Sequence, residues 1–214
     1  MKKIAVFGGS GGLGKKLIPF LEQKYEVISL SSKDVDVTNF DEVVDFFNKN
    51  KIFIVLNISG KNYDTYLSKI NNDNLNNIND IIDVNIKGNI NILSGCLPKM
   101  IENKWGRVIT ISSVLSDLTI PKTSIYSASK SFTEKLINIA NKENVKFGIT
   151  CNTIQLGYWD GGMCNKIDKK QQELIKNNIG LKRWGKTDEL YNTINYIIDN
   201  EYFCGSTIKI NGGL

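Results

Sequence analysis

Tyr126 and Lys130 stand four residues apart in the segment Tyr126-Ser127-Ala128-Ser129-Lys130. On a helix that spacing puts both side chains on one face. A phenol with its ordinary pKa of about 10 is a poor acid–base group near neutrality. A neighbouring ammonium favours the phenolate and makes proton exchange with a substrate oxygen feasible. Upstream of Tyr126, the run Arg107-Val108-Ile109-Thr110-Ile111 ends in two hydroxyls, Ser112 and Ser113. A buried strand with that ending presents Ser113 at the carboxyl edge of a sheet, within reach of the same substrate oxygen. The chain has no histidine. That removes Ser-His-Asp and Cys-His mechanisms and the usual zinc sites, and no metal is expected.

A second group of residues reads as a phosphate cradle. The first apolar run leads into Gly8-Gly9-Ser10-Gly11-Gly12-Leu13-Gly14 and then into a helical pattern. Glycines there let the backbone approach a pyrophosphate, and the helix N-terminus supplies unpaired N–H groups. Between an N-terminal strand and an amphipathic helix, this loop is a dinucleotide-binding signal. The end of the second strand then separates NAD from NADP, because an acidic residue there bonds the ribose 2′-OH. This strand ends in Leu30-Ser31-Ser32-Lys33, with its first carboxylate at Asp34. Two hydroxyls and an ammonium suit a 2′-phosphate, so NADP(H) is expected in preference to NAD(H).

The elements that must position these groups follow from the hydrophobic pattern. Short β-rich runs are expected at Lys3 to Phe7, Glu26 to Leu30, Ile52 to Asn57, Arg107 to Ser112, Phe147 to Ile154 and Thr207 to Ile210. Helices are expected from Leu13 to Lys24, Asp41 to Asn50, Asp80 to Asn103, Ile125 to Asn141 and Thr187 to Asn200, the last with Thr187 as N-cap. The Asn-rich stretch from Asn62 to Asn79 reads as a loop and helix entry. Continuous apolar strands alternating with helices imply an α/β fold, with a parallel sheet covered on both faces in three layers.

With 214 residues, 41% of them hydrophobic and 23% charged, the composition fits a single compact domain. The net charge of +5 is spread over short pairs such as Lys2-Lys3 and Lys15-Lys16, so nucleic acid is not expected as a partner. Cys96, Cys151, Cys164 and Cys204 show no C-x-x-C spacing and read as idle thiols of a reducing compartment. No signal peptide or membrane-spanning run is evident, and a cytoplasmic location is expected.

Taken together, these motifs resemble the short-chain dehydrogenase/reductase family, from Ile4 to Gly213, and in particular its 3-oxoacyl-[acyl-carrier-protein] reductase-like members. Phe7 to Gly14 resembles TGxxxGxG, and Asp36-Val37-Thr38 the segment that brackets the adenine. Leu56-Asn57-Ile58-Ser59-Gly60 resembles NNAG, Asp83-Val84-Asn85 the segment carrying a catalytic Asn, and Ile210-Asn211-Gly212-Gly213 the closing V-D-G-G. The resemblance implies a Rossmann-like, doubly wound sheet. It implies a tetrad of Asn85, Ser113, Tyr126 and Lys130, with Asn85 holding a water that links Lys130 to solvent. Lys130 would bind the nicotinamide ribose and lower the pKa of Tyr126, and Ser113 would orient the substrate carbonyl. It also implies cofactor contacts from Gly8, Ser10, Gly11, Gly12, Leu13, Gly14, Asp36, Val37, Asn57, Ser59, Gly60 and Gly157.

Phe7 in place of Thr, and Ile58-Ser59 in place of Asn-Ala, are expected to loosen packing around the glycine loop. Leu156 replaces Pro, and Gly161 stands where a Thr often touches the carboxamide. Gly157 to Met163 is expected to form an active-site lid, with Tyr158, Trp159 and Met163 lining a pocket for a small carbonyl compound. The long helix and the Tyr–Lys helix carry the family's usual dimer surface, which implies a homodimer or homotetramer. Two rivals carry different chemistry: a regulator that senses NADP without turnover, and a sugar-nucleotide enzyme like the family's extended relatives. The complete tetrad speaks against the first, and the short stretch after the lid against the second.

Overall fold

The computed structural model describes residues 1–161 and 168–214. Six strands form one parallel sheet: β1 (Lys3–Phe7), β2 (Glu26–Leu30), β3 (Ile54–Asn57), β4 (Gly106–Ser113), β5 (Ile149–Leu156) and β6 (Thr207–Ile210), in the order β2-β1-β3-β4-β5-β6. Side chains alternate between the two faces, and both faces are apolar. Ala5, Phe7, Val55, Val108 and Cys151 point to one core, and Ile4, Val6, Ile54, Leu56, Ile109 and Ile154 to the other.

The first core is covered by α2 (Phe40–Lys49), α4 (Gly88–Asn103) and α5 (Ser124–Asn144), through Val43, Phe47, Ile92, Met100 and Ile137. The second is covered by α1 (Gly12–Leu21) and α7 (Thr187–Asp199), through Leu17, Leu21, Leu190, Ile194 and Ile197. Each such side chain contributes about 1.5–3 kcal/mol by leaving water. The result is the expected three-layer, doubly wound sheet of the Rossmann type. The chain runs from β1 out to β2 and returns to the other side of β1 as β3, so the strand order reverses between β1 and β3. Ligands of such sheets bind in the crevice that this reversal opens at the carboxyl ends.

Several boundaries differ from the sequence expectation. The expected helix from Asp80 is a longer stack: α3 (Leu75–Ile81), a π-helical turn (Ile82–Lys87) and α4, without a break. A helix α6 (Lys169–Asn178) precedes α7 and was not expected. The N-cap of α7 is Lys186 and not Thr187; the Glu189 carboxylate accepts the Lys186 N–H at 2.8 Å. Phe7 does not loosen its surroundings: its ring packs against Phe46 and Phe47, each with centroids 5.9 Å away. Among the described residues no helix is long and apolar enough to cross a membrane. Burial raises the thiols of both Cys96 and Cys151, the latter to about 12.

The amino ends of the strands are closed by Arg107. Its guanidinium is buried and donates to the carbonyls of Gly106, Gly148 and Ile198 and to Glu201 at 2.8 Å, while stacking on Trp105. One side chain thus joins β4, the entry to β5 and the end of α7. Arg107→Ala leaves three carbonyls without these donors and should cost about 2–4 kcal/mol. Glu201→Gln, at an exposed partner, should cost under about 1 kcal/mol. Urea unfolding curves of the two variants check the difference.

Candidate active site

The glycine loop begins where β1 ends. The N–H groups of Gly8 and Gly9 both donate to the Leu30 carbonyl at 3.0 Å, which sets the loop beside the end of β2. Gly8 takes φ +85°, and a Cβ there would lie 2.7 Å from the Ser59 nitrogen. Gly14 packs on Gly9, where a Cβ would lie 2.5 Å from a carbonyl oxygen. Only glycine fits these two positions. The first residue before α1, Gly11, offers no side-chain cap, and the first turn contains no acidic group. The free N–H groups and positive end of α1 therefore face outward, a cradle that fits a pyrophosphate.

This cradle forms one wall of a cavity of about 570 Å³. Gly8, Gly11, Gly12, Leu13 and Gly14 line one side; Ile58, Ser59 and Gly60, after β3, line the next. The opposite side is made by Ser112, Ser113, Tyr126 and Lys130, and the last by Leu156, Gly157, Trp159 and Gly161. The cavity thus brings together most of the residues expected from sequence. Ser59 is fixed by Asn57, whose Oδ1 accepts from its N–H and its hydroxyl at 3.0 and 2.6 Å.

Tyr126 and Lys130 lie in the first two turns of α5, with the Lys130 Nζ 5.6 Å from the phenol ring centre. Lys130 is 5% exposed, and its Nζ donates to the Ile111 carbonyl at 3.0 Å. Burial lowers its pKa to about 8, and the charge of Glu134 acts in the opposite direction. Ser113 ends β4, and its Oγ accepts the Leu115 N–H at 3.2 Å, capping the short turn Val114–Ser116. Asn85 sits in the π-helical turn. Its Nδ2 donates to the Lys61 carbonyl and to Ser129 Oγ, and its Oδ1 accepts the Lys61 N–H. Its own carbonyl accepts from Asn89 Nδ2 at 2.6 Å. A Cβ on Gly60 would lie 3.5 Å from both Asn85 Oδ1 and Lys130 Nζ, so the two side chains converge there.

Other expected residues lie elsewhere. Ser31, Ser32 and Lys33 follow β2, outside this cavity but next to the glycine loop. Ser31 donates its N–H and hydroxyl to the same Asp34 oxygen, at 2.8 and 2.6 Å. That turn brings a carboxylate to the strand end, held below its usual pKa by Ser31. Val37 is buried under α4, its carbonyl taken by Asn91, and Asp36 bonds Thr38. Ser10 is exposed.

The expected lid is corrected in part. Trp159 is 6% exposed, its ring pressed on Gly185 within the second core, and Tyr158 packs on Trp184 at 5.8 Å. Two backbone bonds with Gly185 and the pair Lys16–Asp160 at 2.8 Å fasten this segment. Gly161 takes φ +127° against Gly12 and Lys16, so a threonine is strained there. Met163 lies outside the described residues. Sequence reasoning missed Asn89 and Glu134. Each stands four residues after a recognised site residue, Asn85 and Lys130, and that spacing is the signal for both.

A short chain dehydrogenase family model matches residues 21–172, and the chain belongs to that family. It is 27% identical to the 3-oxoacyl-[acyl-carrier-protein] reductase FabG of Rickettsia conorii, covering 100% of this chain and 96% of that protein. It is 24% identical to the FabG of Staphylococcus epidermidis, covering 100% and 98%. Among solved structures it is similar to ElxO with NADP bound, with a TM-score of 0.88 at 22% identity over 99% of this chain and 98% of that one.

The Lys130 proton gives a direct test of this geometry. The folded chain releases it near pH 8, whereas an unfolded lysine holds it to about 10.4. Below pH 8 both states are protonated. Between the two values only the unfolded state binds the proton, so folding becomes more favourable as the pH rises, by about 3 kcal/mol in total. Denaturant titrations across that window should show the rise in the wild type and its absence in Lys130→Met.

Proposed function

We propose that this oxidoreductase interconverts a small carbonyl compound and its alcohol with NADP(H), with Tyr126 as the acid–base group. The observation that carries the reading is the convergence, on one cavity, of a glycine cradle with a phenol set above a buried ammonium. Gly8, Gly11, Gly12, Leu13 and Gly14 would hold the cofactor, which would supply or accept the hydride. Tyr126 gives its proton to the carbonyl oxygen during reduction and takes it back during oxidation. Lys130 stabilises the phenolate left behind and would bind the ribose of the cofactor. Ser113 holds the substrate oxygen beside the phenol. Asn85, its amide spent on Lys61 and Ser129, keeps the loop after β3 and the helix α5 at a fixed separation.

The names of the relatives support 3-oxoacyl groups as a substrate class; sugar-derived ketones are the other class expected. NADP(H) is favoured over NAD(H) by the exposed Lys33, and the NADP in the ElxO structure supports it. Asp34 is spent on Ser31 through one oxygen and fastens the turn that presents Lys33. The outer faces of α4 and α5 expose Ile90, Phe132 and Ile139, which supports pairing of two copies there.

A nicotinamide-fluorescence titration with NADPH and, separately, NADH tests the cofactor assignment, with tighter NADPH binding expected. Lys33→Glu should weaken NADPH by about tenfold and leave NADH nearly unchanged. Equal losses for both would remove Lys33 from the 2′-phosphate contact. In a screen of 3-oxoacyl esters and hydroxyketones, Tyr126→Phe should lower turnover by at least about a hundredfold with NADPH binding intact. A Tyr126→Phe enzyme as active as the wild type would end the acid–base assignment.

A further inference from the structure

One face of α5 repeats a spacing: Tyr126, Lys130 and Glu134 follow at intervals of four, and the chemistry assigned above uses only the first two. Glu134 is half-buried, and its Oε1 gathers three donors. Ser112 Oγ and Ser116 Oγ each lie 2.6 Å away, and Gln155 Nε2 lies 3.3 Å away. Ser116 shares its single proton between this oxygen and the Ser113 carbonyl at 2.7 Å, and Gln155 also donates to Ser116 at 2.8 Å. The residues before and after Ser113 that bear hydroxyls are therefore held by one carboxylate from the helix of Tyr126 and Lys130.

The sheet beneath is built toward this point. On the face that meets α5, Val108 pairs with Cys151, then Thr110 with Thr153, then Ser112 with Gln155. The face turns from apolar to polar along the strands, and Ser112 and Gln155 are 3% and 2% exposed. Burying two polar side chains is costly unless their partners are fixed, and the carboxylate meets that need.

We propose that Glu134 is a positioning residue, fastening the end of β4 that carries Ser113 to the helix of Tyr126 and Lys130 and setting its negative charge one turn behind the Lys130 ammonium. The proposal rests on the roles assigned to Ser113, Tyr126 and Lys130. The titratable groups around this cluster are Tyr126 on the same helix, Asp117 in the turn after β4 and Lys209 on β6. The last two pair with each other at 2.5 Å. Among the described residues, Glu134 is the charged group that acts to keep the Lys130 proton in place.

The test uses three variants. Glu134→Gln keeps an acceptor oxygen and loses the charge, Glu134→Leu loses both, and Glu134→Asp keeps the charge on a shorter stem. An NMR titration of isotope-labelled lysine, with Lys130→Met identifying the signal, follows the Lys130 proton without any substrate. Glu134→Gln should move that titration down by about one pH unit, and Glu134→Asp should restore most of it. In turnover, Glu134→Gln should move the alkaline limb of the kcat profile the same way. Glu134→Leu should lower kcat by about tenfold or more with NADPH affinity unchanged. A Lys130 titration that stays in place in Glu134→Gln, with only the melting temperature reduced, would make Glu134 a structural carboxylate and overturn the proposal. Should Glu134→Leu not fold, Glu134→Gln and Glu134→Asp still decide. A wild type that turns over no carbonyl compound would fail the functional reading, and the Lys130 titration would still judge Glu134.

Discussion

An ammonium placed under a phenol and out of water must receive from the protein what the solvent no longer gives. That requirement organises the carboxyl end of this fold. Lys130 finds the Ile111 carbonyl, which is available because β4 runs at the level where α5 begins. It finds room beside Gly60, where no Cβ intrudes. It feels the charge of Glu134, itself held by hydroxyls of the strand end. Each contact comes from a different element, so the site exists only when β3, β4 and α5 are all in register. Just before that level both strands lie between the two apolar cores, and the register is set by the alternation of Ile109 and Ile111 against Val108 and Thr110.

The layers and the glycine loop were legible because they rest on local signals, whereas the doubly wound order came only from the family resemblance. Continuous apolar runs mark strands buried on both faces, and five glycines in a row of seven mark a backbone that something must approach. Helix α6 was not, because Lys169–Asn178 offers only Leu174 and Ile175 as apolar residues and none of its side chains is buried. The N-cap of α7 was displaced by one residue because Glu189 reaches back to Lys186 and starts the helix without a capping hydroxyl. Neither place carries the usual signal: α6 buries no side chain, and α7 starts on a bond between residues of its own first turn.

The site divides along the same line. Tyr126 and Lys130 are readable as neighbours because four residues on a helix are adjacent whatever the fold does. The same reasoning extends to Glu134 and to Asn89. Gln155 and Ser116 are not readable, since strand register and a turn bring them to Glu134 from 21 and 18 residues away. Trp159 lines the cavity, and what the sequence did not show is that its ring also packs into the second core, where Gly185 leaves room for it. Asp34 lies just past the strand end, and only the turn made with Ser31 brings its carboxylate back.

The π-helical turn at Ile82–Lys87 gives the long helix one residue more than an α-helical path of the same length would hold. Both flanks carry packed side chains: Ile78 and Ile81 before it, Ile92, Cys96 and Met100 after it. Losing a single codon between Ile82 and Lys87 would therefore close the turn to ordinary α-helical spacing and leave the packed residues on either side in register. What would go is the widened turn itself, and with it the place of Asn85 beside Lys61 and Ser129. The extra residue thus serves the site and not the packing of the helix, and its deletion should cost activity before it costs stability.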